Sequence, residues 1–373
     1  MAFAEYKLFF TPLKIAEDLV LKNRIALAPM TRARSDIETK VPNELNQIYY
    51  EQRAGAGLIV TEATAISEQG FGWYGTPALY NQEHAEGWKK VVERVHAKDS
   101  KIFLQLWHMG RQAHSSFNPK NECVSALAIG VGQGRVRNAK GEHVPYDVPR
   151  ALDTSEIPGI VEDYRKSAEL ALTAGFDGVE IHAGNGYLID QFLQSSTNHR
   201  TDKYGGSIEN RAHFLLEIVD AIKTVWPSKR IAVRVSPNSP FAGMCSADNY
   251  EQFMYTMERL SEHNLAYLAI LDGFGFGTHD LGRLVTALDA KTAFKGIVIA
   301  NNSYTRDTAE SVIGSGAADV VSFGRPFIST PDLPERFLND WSLNPPANQD
   351  VHFNPSKGAE GYTDFPTYAE TQS

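Results

Sequence analysis

Cysteine is scarce: Cys123 and Cys245 are the only two in 373 residues. Two are too few for a disulfide framework or a structural zinc site, and they fit a reducing compartment. Both are expected to be small, partly buried residues. Basic charge is also short, with 36 Lys and Arg against 45 Asp and Glu and a net charge of −9. Such a chain has no general attraction for phosphate backbones or anionic lipid, so nucleic acid is a poor first choice of partner and a small molecule a better one. No run of about 18 apolar residues occurs, and Met1 to Lys7 lack a basic stretch leading into an apolar one. The last four residues match no retention or peroxisomal signal. The expectation is a cytoplasmic monomer or homodimer without membrane contact. What the chain does have is 42% hydrophobic residues, enough for a large core, which excludes disorder as the main state.

Eight short apolar runs recur: Arg24 to Ala28, Gly57 to Thr64, Lys101 to Trp107, Gly178 to His182, Arg230 to Ser236, Leu265 to Leu271, Gly296 to Ala300 and Asp319 to Phe323. Between most of them apolar residues fall at helical spacing, as in Asp163 to Ala174 and Ile208 to Val225. Continuously apolar strands separated by helices predict a parallel sheet covered on both faces, and eight of them predict closure into an α/β barrel of the (β/α)8 TIM type. Glycine-rich helix stops at 174 to 178 and 314 to 319 feed directly into the next strands. The helix between strands six and seven has the weakest pattern. From Met109 to Leu152 the period breaks down amid Gly, Pro, Arg and Lys, which reads as a cap after strand three. A Pro-containing aromatic tail after Asn339 is expected to wrap back, so that residues 1–373 form one barrel domain with its cap at about 109–152.

In a parallel barrel the strand C-termini converge on one rim, so polar residues there are site candidates before any motif is consulted. They are Thr31, Glu62, Ala63, Gln105, Trp107, His108, His182, Asn185, Tyr187, Arg234, Asp272, Asn301 to Ser303, Gly324 and Arg325. His182 and Asn185 are three apart and share a side if the chain turns helically after the strand. Two donors aimed at one point can hold a carbonyl oxygen and stabilise negative charge on it, while Tyr187 supplies a proton from another direction. Gln105 and Arg234 together suit a flat heterocycle with a urea-like edge, although Arg234 can instead pair with a buried carboxylate such as Glu62. Asn302, Ser303, Gly324 and Arg325 follow strands seven and eight, where this fold often holds a phosphate.

Other features point nowhere. Gly273-Phe-Gly-Phe-Gly277 lacks the helix opening and acidic partner of a dinucleotide loop and reads as a tight turn. Gly130 to Arg137 reads as a solvated loop. His108, His182 and His199 come without carboxylates at ligand spacing, so no metal is expected. No Lys ends a strand, which disfavours a Schiff base. The alternative classes, a metal-assisted barrel hydrolase or lyase and a ligand-binding scaffold without chemistry, are separable by metal content and by turnover.

The same residues lie in longer motifs. Leu21 to Arg32, Gln105 to Arg111, Gly178 to Leu188, Asn198 to Arg211, Arg234 to Pro237, Phe323 to Phe327 and Gly361 to Pro366 resemble the Old Yellow Enzyme family of FMN-dependent ene-reductases, in family order and over nearly the whole chain. The resemblance implies noncovalent FMN, reduced by NADPH, passing a hydride from flavin N5 to the β-carbon of an α,β-unsaturated carbonyl compound, an activated alkene. It implies that His182 and Asn185 hydrogen-bond the substrate carbonyl and that Tyr187 protonates the α-carbon. Thr31 then meets the flavin C4 carbonyl, Gln105 the pyrimidine edge and Arg234 the N1 and O2 region. Pro29, Met30 and Ala63 line the ring, Asn302, Ser303, Gly324 and Arg325 hold the phosphate, and Trp107 and Phe241 shape the substrate space. Asn302-Ser303 stands where many members carry glycine, and His352-Phe353-Asn354 where many carry Phe-Tyr.

Overall fold

The computed structural model describes residues 8–273 and 277–372. Eight parallel strands form a closed ring: β1 (Ile25–Leu27), β2 (Leu58–Val60), β3 (Lys101–Trp107), β4 (Gly178–Ala183), β5 (Ile231–Val235), β6 (Tyr267–Leu271), β7 (Val298–Asn301) and β8 (Val320–Phe323). Val321 of β8 pairs with Ile25 of β1, and the ring closes between Gly178 and Phe103. All eight runs expected to be strands are barrel strands. The likeness to a (β/α)8 barrel is complete: a helix follows each strand, in order α1 (Glu44–Gln52), α2 (Gln82–His96), α3 (Ile157–Thr173), α4 (Ile208–Lys223), α5 (Asn249–Ser261), α6 (Ala287–Phe294), α7 (Arg306–Gly314) and α8 (Leu333–Asn339).

The helices form for local reasons. Along α2 the buried residues Ala85, Trp88, Val91, Val92 and Val95 make one stripe, and Asn81 caps its start by accepting from the His84 N–H. The weakly patterned α6 is fixed by its ends: Thr286 and Asp289 form a reciprocal capping box, and Lys295 closes the helix in a left-handed conformation. Two apolar layers result. One lies between the strands and the helices. The other is the barrel interior, where Ala26, Leu58, Phe103, Tyr267 and Val320 pack with Ile15, Leu19 and Leu21 of an N-terminal hairpin. That hairpin plugs one end, leaving the strand C-termini as the open rim. Among the described residues no helix is long and apolar enough to cross a membrane.

The excursion after β3 departs from expectation. Arg135–Arg137, read as part of a solvated loop, pairs antiparallel with His143–Pro145. The intervening Asn138 side chain accepts from the N–H groups of Lys140 and Glu142, and Gly141 takes φ 79°, so the turn is built by an Asx contact and a glycine rather than by hydrophobic period. A second, parallel pair joins Val124–Ser125 to Arg150–Ala151 at the base of the cap. The motif from Asn198 to Arg211 serves here as a buttress: the Arg200 guanidinium donates to the carbonyls of Ala126 and Leu152 at that base. The Gly273–Gly277 stretch falls largely outside the described residues.

The tail does wrap back. Arg34 donates to the carbonyls of Val351, Gly358 and Glu360, and Arg32 to those of His352 and Gly361, while Glu62 accepts from the Arg32 and Ala33 N–H groups. Both guanidiniums are buried, and the bonds to the Val351 and Gly361 carbonyls lie where water cannot replace them. Arg34→Ala is therefore expected to cost about 2–4 kcal/mol and to release the tail. Limited proteolysis should then cut first within residues 351–361; an unchanged digestion pattern would dissociate the tail from Arg34.

Candidate active site

Period two on β4 puts Glu180 and His182 on the same inward face, and register sets their neighbours. Glu180 stands opposite Gln105 of β3, and His182 opposite Arg234 of β5. A buried polar floor follows. Gln105 Nε2 donates to Glu180 Oε1 at 2.8 Å, the Tyr267 hydroxyl donates to Glu180 Oε2 at 2.9 Å, and Arg234 Nη2 donates to Asn301 Oδ1 at 2.9 Å. Asn301 Nδ2 in turn donates to the Ser322 carbonyl at 2.8 Å. Burial pushes the Glu180 carboxyl up, and the Arg234 charge opposes that shift. The carboxylate facing Arg234 is thus Glu180, whereas Glu62 is committed to the β1 loop. Burial, reinforced by the Arg234 charge, holds the His182 imidazole well below its ordinary pKa, so it is neutral at physiological pH.

Above this floor sits an aromatic corner. Tyr187 meets the edge of His182 at 5.0 Å between ring centroids and that of Trp107 at 5.1 Å. Burial pushes the Tyr187 hydroxyl above its usual pKa, and it makes no hydrogen bond among the described residues. His182 Nδ1 and Trp107 Nε1 are buried without a partner. Asn185 does not sit on a helical turn. β4 runs on to Ala183, and Asn185 then adopts a left-handed φ of 55°, which an Asn tolerates better than other non-glycine residues. The spacing of three between His182 and Asn185 therefore does not reflect a helical turn.

A cavity of about 490 Å³ brings together Pro29, Met30, Asn185, Arg234, Asn302, Ser303, Gly324 and Arg325. Thr31, half-buried, and Ala63 and Gln105, both buried, are not part of its wall. Asn302 and Ser303 take φ 94° and 64°, the left-handed region, so the two residues standing in place of glycine keep a glycine-like backbone. A second cavity, of about 520 Å³, lies between the cap hairpin and the tail, with Arg135, Arg137, His143 and Lys357 beside Trp73, Tyr146 and Phe353. It adjoins the aromatic corner, since Trp73, Val136 and Tyr146 pack into the cluster containing Trp107 and Tyr187. Phe241 is exposed in the turn Phe241–Gly243 and lines neither cavity.

Comparison with known proteins agrees with this geometry. The sequence profile of the NADH:flavin oxidoreductase / NADH oxidase family matches residues 8–344. The chain belongs to the Old Yellow Enzyme family. It is 37% identical over 375 residues to 12-oxophytodienoate reductase 1 of Oryza sativa subsp. japonica, covering 96% of this chain and 93% of that protein. Morphinone reductase superposes with a TM-score of 0.91 at 41% identity, covering 98% of this chain and 97% of that one. The same enzyme is also known in complex with tetrahydroNAD. The old yellow enzyme homologue from Zymomonas mobilis gives a TM-score of 0.90 at 39% identity, with 96% and 99% covered. The protein is accordingly an FMN-dependent ene-reductase of the Old Yellow Enzyme family. Its site fits that cofactor: a permanent cation, Arg234, and the Asn301 amide share the cavity wall with the left-handed Asn302 and Ser303, and the buried ring nitrogens of His182 and Trp107 have no partner among the described residues.

Several residues escaped the sequence reading. Glu180 and Tyr267 organise the floor, and period two along β4 was the available signal. Asp190, on the short helix Leu188–Leu193, accepts from the Gly186 N–H at 2.8 Å and from Gln194 Nε2 at 2.9 Å. Burial pushes its carboxyl up to about 7 from an ordinary value of 3.8. Because the folded value is the higher one, Asp190's contribution to stability is full below about pH 4 and is lost as pH rises through about 7. The Tm of Asp190→Asn relative to wild type should therefore climb across that window, by the equivalent of roughly 1.4 kcal/mol per pH unit. A pH-independent difference between the two proteins would show that Asp190 titrates normally.

Proposed function

We propose that this ene-reductase consumes NADPH and reduces the C=C bond of α,β-unsaturated carbonyl compounds, with His182 and Asn185 gripping the carbonyl oxygen and Tyr187 as the proton donor. The observation that carries this reading is His182: buried, neutral, in register with Arg234, and one ring edge away from an unbonded tyrosine hydroxyl. A neutral imidazole can donate one N–H to a carbonyl oxygen without contributing a charge that would repel the Arg234 cation. The Asn185 carboxamide, at the mouth of the 490 Å³ cavity, is the second donor. Together they draw electron density from the alkene and stabilise the negative charge that develops on oxygen.

FMN, when bound and reduced by NADPH, supplies a hydride to the β-carbon. Pro29, Met30 and Ala63 would line its ring, Thr31 would meet its C4 carbonyl, Gln105 and Arg234 its pyrimidine edge, and Asn302, Ser303, Gly324 and Arg325 its phosphate. Tyr187 Oη then gives its proton to the α-carbon. Its raised pKa keeps that proton in place until a strongly basic carbon forms. Trp107 is the wall against which Tyr187 is held, and Phe241 closes the substrate space only if its turn folds inward. Tyr187→Phe is expected to slow enone reduction by about 10²–10⁴-fold while flavin reduction by NADPH is little changed. Stopped-flow measurement of the two half-reactions separates them, and equal slowing of both would remove Tyr187 as the proton donor. A colourless protein that cannot be reconstituted with FMN would end the whole reading.

The choice of NADPH is supported by the cap cavity. The Arg135 side chain is exposed there and makes no hydrogen bond or ion pair among the described residues, while Arg137 and Lys357 stand on the same wall. An uncommitted guanidinium suits the extra phosphate that distinguishes NADPH from NADH. Arg135→Glu should raise KM for NADPH about tenfold and leave that for NADH unchanged. Equal effects on both nucleotides, measured by steady-state kinetics, would place the phosphate elsewhere.

A further inference from the structure

The turn that carries Asn185 is held in an unusual way. Asn185 and Gly186 adopt left-handed φ values of 55° and 73° in succession, between the end of β4 and the helix that starts at Leu188. Two such residues join neither a strand ladder nor a helix, so their backbone groups need other partners. All four partners are side chains. The Asn185 N–H donates to Ser236 Oγ at 2.6 Å, and Gln112 Nε2 donates to the Asn185 carbonyl at 2.7 Å. The Gly186 N–H donates to Asp190 Oδ2 at 2.8 Å, and Gln191 Nε2 donates to the Gly186 carbonyl at 2.7 Å.

These side chains are themselves fixed. Gln191 Oε1 accepts from Ser125 Oγ at 2.8 Å at the base of the cap. Ser236 directly follows β5, and Gln112 ends the turn Gly110–Gln112 with which the cap begins. The clamp is also tight: a β-carbon added at Gly186 would lie 2.9 Å from Met244 Cγ and 3.1 Å from Gln112 Nε2. Left-handed backbone at a non-glycine residue persists only where its surroundings over-determine it. Here the surroundings are three separate segments meeting on one dipeptide.

We propose that Gln112, Ser236, Asp190 and Gln191 are positioning residues that aim the Asn185 carboxamide at the substrate oxygen, so that the cap, through Gln112, takes part in carbonyl binding. The proposal rests on the reading of Asn185 given above. Its test is a double-mutant cycle on the FMN-loaded enzyme, with the dissociation constant of a para-substituted phenol read from the flavin spectrum. Gln112→Leu keeps the side chain's size and removes the donor; Asn185→Ala removes the group being aimed. Gln112→Leu should weaken phenol binding about tenfold in the wild-type background and leave it unchanged in the Asn185→Ala background. Equal weakening in both backgrounds, or none in the wild type, overturns the proposal. If Gln112→Leu does not fold, Ser236→Ala runs the same cycle with the same expectation. If Asn185→Ala alone binds phenol as tightly as wild type, the carbonyl grip itself fails and the positioning role falls with it, a pattern visible before Gln112 is touched.

Discussion

Everything at the rim depends on how the barrel manages charge in its interior. Glu180 and Arg234 are both buried, and taking either out of water alone would cost several kcal/mol. They are tolerated because each is hydrogen-bonded by a neutral partner, Gln105 and Tyr267 for the carboxylate and Asn301 for the guanidinium. The arrangement leaves Arg234 with donors to spare, facing the cavity, and keeps a positive charge beside His182. That charge, added to burial, is what makes the imidazole neutral. One buried cation thus both lines the cavity and helps to keep the imidazole beside it neutral.

Much of this was legible in the chain. The eight strands could be read because a strand covered on both faces is continuously apolar, and helices such as α2 because one stripe faces the barrel. The rim residues followed from closure alone, since a closed parallel barrel has only one end where strand C-termini collect. The cap was legible only as a break in period. Its hairpin is set by Asn138 and Gly141, a local turn contact that leaves no mark on hydrophobic patterning. The Asn185 turn was misread as helical although Asn-Gly is itself a turn dipeptide; the partners of Asn185's own backbone are what no local pattern shows. Ser236 lies 51 residues away and Gln112 lies 73 away.

Glu180 shows a different limit. Its position on β4, two residues before His182, marks it as inward-facing. Which cation it would face depended on strand register around the ring. Sequence offered Glu62 as the carboxylate for Arg234, and register gives Glu180 instead, because β4 and β5 are neighbours while β2 lies across the barrel. Glu62 is still a buried structural acceptor, but for the backbone of the loop that follows β1.

Two left-handed stretches contribute to the cavity wall, and they are stabilised by different means. At Asn302 and Ser303 the support is backbone crowding: a β-carbon on Gly273 would lie 2.0 Å from the Asn302 carbonyl oxygen, and Asn302 Nδ2 donates to the Gly273 carbonyl at 3.2 Å. Crowding of this kind leaves the main chain there little room for adjustment. At Asn185 and Gly186 the support is four side chains, none of them on a barrel strand. The turn beside Gly273 is thus set mainly by close main-chain approach, and the turn at Asn185 by side chains drawn from the cap, the loop after β5 and the helix that starts at Leu188, segments freer to vary than the barrel strands.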